Sequence, residues 1–563
     1  MINTKIYNKL NYRKTLGAIS NFKISKNVFE FNKNYGTKNQ SAYQQSRSIL
    51  NNPARYTIKQ TTRFQSSIVS GVNRNTLKTV SVDDLAYFKE ILPETGILST
   101  EHLGGNNEDA DLLKYNTGLL IEHLGNSKVV LLPTTTEQVS KIVKYCNEKR
   151  IGIVPQGGNT GLLGGAIAYN NEVVLSVSKM NKIRSLDTDS GALVCDSGCV
   201  LENLNTYLDD YGLIMPLDLG AKGSCNIGGN ISTNAGGIRY LKYGTLHGSV
   251  LGLEVVLPDG RIIHNLSTLR KDSTGYDIKQ LFIGAEGTLG IVTGVSILTA
   301  KKPSNVSVAL FGLKSFEDVL EMLRISKVKL GEILSAFEFT DRIIMEKVLP
   351  ILKKANPLGS EHMYYVLMET SGSNREHDEQ KMTDFYELLS EKNLIENGIL
   401  AHDESQVASI WNIREMMTYG LTSSGDTYAF DLSIPAYLME KSIFDFSDFL
   451  KNEGLYSGIP DTYTDPKHVV KFISGFGHMG DGNIHLNVVV DKYNDDLTHK
   501  IEDFVFNYTK NLKGSISAEH GIGVIKPRFL HYSKSEEVIN IMKKIKNVFD
   551  PNGIMNPNKV LPQ

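Results

Sequence analysis

Pro155-Gln156-Gly157-Gly158-Asn159-Thr160-Gly161-Leu162-Leu163-Gly164-Gly165 places five glycines in eleven residues, directly after the strand-like run Ile151-Gly152-Ile153-Val154. Glycine lets a backbone turn with positive φ and approach a ligand closely, and successive backbone N–H groups in such turns form a nest for anions. A second cluster runs from Gly220 through Gly223, Ser224, Gly228, Gly229 and Asn230 to Thr233, Asn234, Gly236 and Gly237; a third is Gly284-Ala285-Glu286-Gly287-Thr288-Leu289-Gly290. Three such loops with interleaved hydroxyls point to a dinucleotide site whose diphosphate is the natural guest. None of them is a G-x-G-x-x-G that opens a helix after a first strand, so they are not Rossmann loops.

Working outward, Val129–Pro133 reads as a buried strand. Thr134-x-x-Glu137 offers a capping box, and Val139, Ile142, Val143 and Cys146 follow at helical spacing. With Ile151–Pro155 this makes a β-α-β unit. Further strands are expected at Val173–Val177, Ala192–Asp196 and Leu251–Leu257, the last closed by the turn Pro258-Asp259-Gly260. Residues 125–303 therefore read as an α+β domain. From 304 to 520, strands separated by single helices suggest a second α+β domain of ferredoxin-like type. These include Val306–Leu313, a helix Ser315–Val328 capped by Ser315-x-x-Asp318, Leu334–Phe339, Met363–Met368 and a charged helix over 375–391. Residues 521–563 form a C-terminal segment with an amphipathic helix on Val538, Ile541, Met542, Ile545 and Val548, stopped by Asp550-Pro551-Asn552-Gly553. Residues 81–124 are left as an N-terminal extension.

The 563 residues exceed what one core accommodates. A net charge of −2 gives no case for nucleic acid, and no apolar run reaches the length of a membrane span. The neutral sum hides an asymmetry. Residues 1–80 hold fourteen Lys/Arg and a single acid, Glu30, which leaves 46 basic and 61 acidic residues in the remainder. A basic, hydroxyl-rich, acid-poor start without an apolar h-region is the composition of a mitochondrial transit peptide, followed by a disordered arm. The four cysteines, Cys146, Cys195, Cys199 and Cys225, form no C-x-x-C pair and read as packing residues.

The strings PQGGNTGLLGG, GAKGSCNIGGNISTNAGG and GAEGTLG resemble the FAD-binding domain of the vanillyl-alcohol-oxidase-type flavoproteins. The longer string from Met215 to Gly260 is similar to that family's D-2-hydroxy-acid dehydrogenases. The resemblance spans about residues 90–563. It implies a two-subdomain FAD-binding domain with a ferredoxin-like cap and a C-terminal helical segment packing on the FAD domain. It further implies FAD held without a covalent bond. Matched position by position, the cofactor would be held by Pro155, Gly157, Gly158, Asn159, Thr160, Gly161, Gly164 and Gly165 at the diphosphate. Asp218, Gly223, Ser224, Gly228, Gly229, Asn230, Thr233, Asn234, Gly236, Gly237, Glu286, Gly287, Gly290 and Ile291 would line the ribityl chain and ring.

A second constellation lies downstream. Gly477-His478-Met479-Gly480-Asp481-Gly482-Asn483-Ile484-His485-Leu486-Asn487 holds two histidines across a glycine-rich turn, between the strand-like runs Val469–Ile473 and Leu486–Val490. A hairpin would bring the imidazoles together. Two imidazoles and one carboxylate leave an open zinc position, as in catalytic sites. Glu519 could supply the carboxylate, and His520 would then reach the substrate as an acid/base group. Asp481 reads as a turn residue.

The resemblance implies the same set, with His478, His485 and Glu519 on zinc, and Asn487, His520, Arg414 and Thr418 on the substrate. It implies oxidation of (R)-2-hydroxyglutarate to 2-oxoglutarate, with His520 taking the hydroxyl proton and the C2 hydrogen leaving as hydride to flavin N5. Electrons would pass to an electron-transfer flavoprotein in the mitochondrial matrix. In the family a substrate-recognising lysine stands where this chain has Ala429, which leaves a distal carboxylate short of one cation. The alternative within the fold is a D-lactate dehydrogenase feeding cytochrome c. Two other classes stay open: a zinc hydrolase with structural glycine loops, which a flavin absorption band would exclude, and a non-catalytic FAD scaffold, which bleaching by a hydroxy acid would exclude.

Overall fold

The computed structural model describes residues 77–100, 103, 109–119 and 123–562. The expected transit peptide and most of its arm lie outside the described residues. The first sheet has four strands in the order Ile97–Ser99, Val129–Leu131, Val173–Ser176, Ile153–Gln156. The last three run parallel, and the first is antiparallel to its neighbour. The helix Thr136–Lys149 makes the β-α-β crossover, and Val173–Ser176 inserts between the two strands it joins. Its N-cap is Thr135, one residue later than the capping box suggested: Thr135 accepts from the Gln138 N–H, while the Gln138 side chain returns to the N–H of Thr134 at 2.8 Å. Leu85 and Phe88 from the helix Val82–Ile91 share a core with Val139 and Ile142. Residues 81–99, expected as part of an extension, thus belong to this sheet's fold.

The second sheet is five-stranded and antiparallel, in the order Ile183–Asp187, Ala192–Asp196, Ile291–Leu298, Val250–Val256, Ile262–Asn265. Pro258-Asp259-Gly260 closes its last hairpin, with Gly260 at φ +87°. The helices Leu201–Asp209 and Ile227–Ser232 complete its core.

The third sheet has seven strands, in the order Asn397–Leu400, Asn305–Leu313, Tyr364–Gly372, Leu334–Asp341, Val470–His478, Asn483–Val490, Asp426–Ser433, every pair antiparallel. Alternate side chains of each strand face opposite ways. One face buries Phe311, Phe337, Phe339, Tyr428, Phe430 and Ile484 under the helices Phe316–Lys329, Arg375–Glu391, Met439–Asn452 and Asp495–Asn511. The other face is apolar only at one end, where Leu310, Leu367, Phe472 and Phe476 pack under Arg342–Leu352, Glu404–Glu415 and Met417–Thr422. At the other end it carries Glu338, Asp431, His478, His485 and Asn487.

Residues 554 and 555 return to the first sheet. Met555 bridges Ile153, and Ile554 and Met555 are fully buried in the first core. The C-terminal helix Glu536–Phe549 corrects one expectation. Its apolar stripe is only partly covered: Val538, Ile541 and Val548 are exposed, while Ile539 is buried and Ile545 and Phe549 pack on the second core.

Candidate active site

The three glycine loops meet. A Cβ on Gly158 would collide with the Ser224 carbonyl, and one on Gly157 would come to 3.3 Å from Asn226. Gly287 packs on Pro155, and Gly284 lies against Asn234. Asn159, Asn234 and Glu286 take positive φ, which turns these loops sharply. Gly161 and Gly229 face open space, and Asn226 and Asn234 each bury an amide oxygen without a hydrogen-bond partner among the described residues. A groove of open-facing glycines with orphaned polar atoms suits a polar, extended ligand such as FAD. Several residues expected to touch the cofactor are engaged elsewhere. Both oxygens of Glu286 accept backbone N–H groups, from Ile522 at 2.7 Å and Gly523 at 2.8 Å. Asp218 pairs with Arg239 at 2.8 Å and Lys222 at 3.2 Å. Gly290 and the buried Ile291 pack at the start of a core strand, and the Thr233 hydroxyl donates to the Gly229 carbonyl at 3.1 Å.

Gly236 carries the groove to the histidines. A Cβ there would lie 3.0 Å from Glu519, and a cavity of about 210 Å³ opens between this loop and the third sheet. Asp218, Gly236, Arg239, Asp481, Asn483 and Glu519 are among its walls.

The histidine hairpin pairs His478 with Asn483 and Phe476 with His485, so the two imidazoles are diagonal neighbours with ring centres 5.5 Å apart. Gly482 takes φ +84° in the turn, and Asp481 Oδ1 accepts the Asn483 N–H, the role of a turn residue. Glu519 Oε1 lies 3.7 Å from His478 Nε2, 3.6 Å from His485 Nε2 and 3.7 Å from His520 Nε2. Ligand atoms at about 2.0–2.1 Å around a tetrahedral ion stand roughly 3.3 Å apart, so each imidazole is a small contraction from sharing a zinc-like cation with Glu519. The group whose ligand atoms all lie within 4.8 Å of one another is Asp431, His485, Glu519 and His520, which keeps two of the three expected ligands and leaves out His478. The oxygens of Asp431 are engaged, however. Oδ2 accepts the backbone N–H groups of Glu519 at 3.0 Å and His520 at 2.9 Å, and Oδ1 accepts from Asn483 at 2.9 Å. Asp431 thereby fixes the bend that presents Glu519 and His520. His520 is the most exposed of the three imidazoles, with 29% of its side chain accessible against 9% and 12%. That accessible position suits a group that meets a substrate.

The electrostatics follow from burial and from Glu338. Burial disfavours the His478 imidazolium, but the Glu338 carboxylate at 2.7 Å from Nδ1 overrides it and pushes the pKa up to about 10. Burial, helped by the nearby charges of His478 and Arg414, carries His485 down to about 3 against the pull of Glu519 and Asp431, so it is neutral. Burial favours a protonated Glu519, but the charged His478 beside it outweighs burial and brings it down to about 2. Glu338 also accepts Arg414 Nε at 2.8 Å, and the guanidinium lies over the Phe476 ring at 4.8 Å. Arg414 makes no other hydrogen bond among the described residues, which leaves its two terminal NH2 groups for a ligand. Asn487 is buried beside the histidines and pairs across the sheet with Ala429, whose methyl is exposed. Thr418 is exposed in the helix after Arg414, and its hydroxyl bonds no described residue. Glu338 and Asp431 were missed by the sequence reading. The signal for both was an acid inside an apolar strand.

Residues 127–265 match the family described as FAD binding domain, and residues 302–560 match FAD linked oxidases, C-terminal domain. The chain is 47% identical to the mitochondrial D-2-hydroxyglutarate dehydrogenase of Arabidopsis thaliana over 89% of its own length and 85% of that protein's. It is equally 47% identical to a Schizosaccharomyces pombe protein named as a putative mitochondrial D-lactate dehydrogenase, over 85% of this chain and 90% of that one. Among solved structures, p-cresol methylhydroxylase with substrate bound matches with a TM-score of 0.63 at 15% identity, covering 85% of this chain and 96% of that one, a likeness of fold. The mitochondrial location expected from the basic start agrees with the names of these relatives. With its glycine groove and its two matched domains, the chain is an FAD-dependent oxidoreductase and belongs to the FAD-linked oxidase family that holds the mitochondrial D-2-hydroxyglutarate dehydrogenases.

Proposed function

We propose that this enzyme oxidises (R)-2-hydroxyglutarate to 2-oxoglutarate in the mitochondrial matrix, with a divalent metal, zinc by its donor set, at His478, His485 and Glu519. The observation that supports this reading most is the meeting of three imidazoles on one carboxylate beside an arginine with two free NH2 groups, at the end of the glycine groove. When bound, FAD supplies the two-electron acceptor and the metal a Lewis acid that acidifies the substrate hydroxyl. Arg414 holds the C1 carboxylate with its terminal NH2 groups, fixed in direction by Glu338. His520 takes the hydroxyl proton at Nε2, while Asp431 holds its backbone in place. Asn487 and Thr418 contribute hydrogen bonds to the acid, and burial of the cluster under the flavin loop excludes water. An electron-transfer flavoprotein is the proposed oxidant of the reduced enzyme.

D-lactate is the second reading, favoured by Ala429. The exposed methyl opposite Asn487 gives a distal carboxylate no cation from that strand. Anaerobic bleaching of the flavin by a panel of D- and L-2-hydroxy acids tests both. Fastest reduction by (R)-2-hydroxyglutarate is expected, and no bleaching by any 2-hydroxy acid would overturn the assignment.

A further inference from the structure

Glu338 is 2% exposed, and its two oxygens are divided between two functional groups. Oε1 meets His478 Nδ1 at 2.7 Å and Oε2 meets Arg414 Nε at 2.8 Å. Among the described residues no third partner engages it. It sits on the strand Leu334–Asp341, directly opposite His478 in the adjoining strand, so its placement is set by sheet register rather than by a loop. Arg414 comes from the helix Glu404–Glu415, on which Trp411 donates to Glu369 at 3.1 Å. Glu369 in turn holds Arg239 of the flavin segment at 2.9 Å. A buried carboxylate with two charge-assisted donors is satisfied only while both remain in place.

We propose that Glu338 is a positioning residue that couples the metal site to the carboxylate-binding site, one side chain orienting both the metal-facing imidazole of His478 and the substrate-facing fork of Arg414. The proposal rests on the roles given above to His478 and Arg414. With Nδ1 held by Glu338, the His478 ring is oriented so that Nε2 faces the Glu519 cluster. With Nε–H held by the same group, Arg414 aims its remaining N–H groups into the site. An outer carboxylate behind a metal-binding imidazole typically changes metal affinity 10–100-fold when lost. Here the same loss also frees the guanidinium. An amide cannot replace it. In Glu338→Gln one end is an oxygen and the other an NH2, and the NH2 must face one of two donors.

The test uses the full FAD-loaded protein and three binding readouts. Zinc affinity is measured by chelator competition. Affinity for 2-oxoglutarate, a non-reacting acid, is read from the fluorescence of Trp411, the chain's single tryptophan. FAD per chain is read by absorbance. Glu338→Gln is expected to weaken zinc about 10–100-fold and 2-oxoglutarate several-fold, with FAD unchanged. Zinc and acid affinities both within twofold of the unmodified protein overturn the proposal, as does loss of FAD with both affinities kept. If Glu338→Gln does not fold, Glu338→Asp, which keeps the charge but is one methylene too short to reach both partners, is judged by the same limits. Failure of the unmodified protein to bind any 2-oxo acid would count against the functional reading instead, because the zinc measurement stands without substrate.

Discussion

Asp431 Oδ2 accepts the backbone N–H of His520 at 2.9 Å across 89 residues of sequence, and by the same oxygen holds the neighbouring Glu519. An asparagine at 431 could keep only part of this, because its NH2 would face a backbone donor or the Asn483 amide. Asp431→Asn is expected to lower kcat about 10–100-fold while FAD per chain stays unchanged. A kcat within twofold of the unmodified enzyme would show that the bend holds its shape without the carboxylate.

His485→Ala should lose the metal and turnover together and keep the flavin, since the glycine groove is built from other strands. The measurement is metal and FAD content of one preparation. Full metal occupancy with unimpaired turnover would remove His485 from the metal site.

Metal loading should release about one proton near neutral pH. In the metal-free protein His478 titrates at about 10, above its ordinary 6.5, whereas His485 at about 3 and Glu519 at about 2 are already deprotonated. The sign follows. His478 stabilises the metal-free fold below pH 6.5 and loses that contribution as pH rises through its folded value. Apparent zinc affinity should therefore climb about tenfold per pH unit between roughly pH 7 and 9. Calorimetry in two buffers of different ionisation enthalpy measures the proton count, and a count of zero contradicts the charged His478–Glu338 pair.

Two glycines of the first loop should fail in different ways. Gly158→Ala forces a methyl into the Ser224 carbonyl and should destabilise the flavin-free fold. Gly161→Ala points a methyl into open groove and should leave that fold's Tm unchanged while weakening FAD. Thermal melts and FAD titration of both variants separate the cases. Equal melting temperatures would mean that the loop shifts to admit the methyl at 158.

Ala429→Lys places an ammonium opposite Asn487, on the sheet face that carries His485. For a dicarboxylate substrate it should improve KM or leave it unchanged. For a lactate-like substrate it should leave kcat/KM unchanged, since an ammonium at this exposed position stays solvated and a monocarboxylate offers it no second partner. The comparison is kcat/KM for (R)-2-hydroxyglutarate and D-lactate in both proteins. A tenfold preference for D-lactate in the unmodified enzyme, about 1.4 kcal/mol, would decide for the second reading.

Much of the site was legible because its residues lie on glycine-marked bends. The turn around Asp481 and the Ser517–Gly521 segment show in the sequence as short motifs, and the meeting of His478, His485 and Glu519 follows from a simple hairpin plus one loop. Glu338 was not legible in the same way. It stands in Leu334–Asp341 as an acid among apolar residues, and only the pairing of that strand with Val470–His478 gives it a partner. Helical periodicity misled at the C-terminus. Val538, Ile541 and Val548 fall on one stripe, but anchoring through Ile539, Ile545 and Phe549 turns that stripe partly to solvent. Periodicity identifies a helix and an apolar side. The rotation of the helix on its neighbour is set by contacts from elsewhere in the chain.

The bridge from Met555 to Ile153 has a consequence for when the enzyme can form. The first sheet's core includes Ile554 and Met555, and the Asn556 amide donates to the carbonyls of Gly165 and Glu286 within the glycine loops. The cofactor-binding half is therefore incomplete until residues 554–556 have left the ribosome and, for an imported protein, crossed the organelle membranes. Folding cannot proceed one domain at a time from the N-terminus. A nascent chain would wait, its flavin groove unclosed, for a segment synthesised some four hundred residues later, which makes cofactor capture a late event in biogenesis and a substitution at Asn556 a lesion of the first domain.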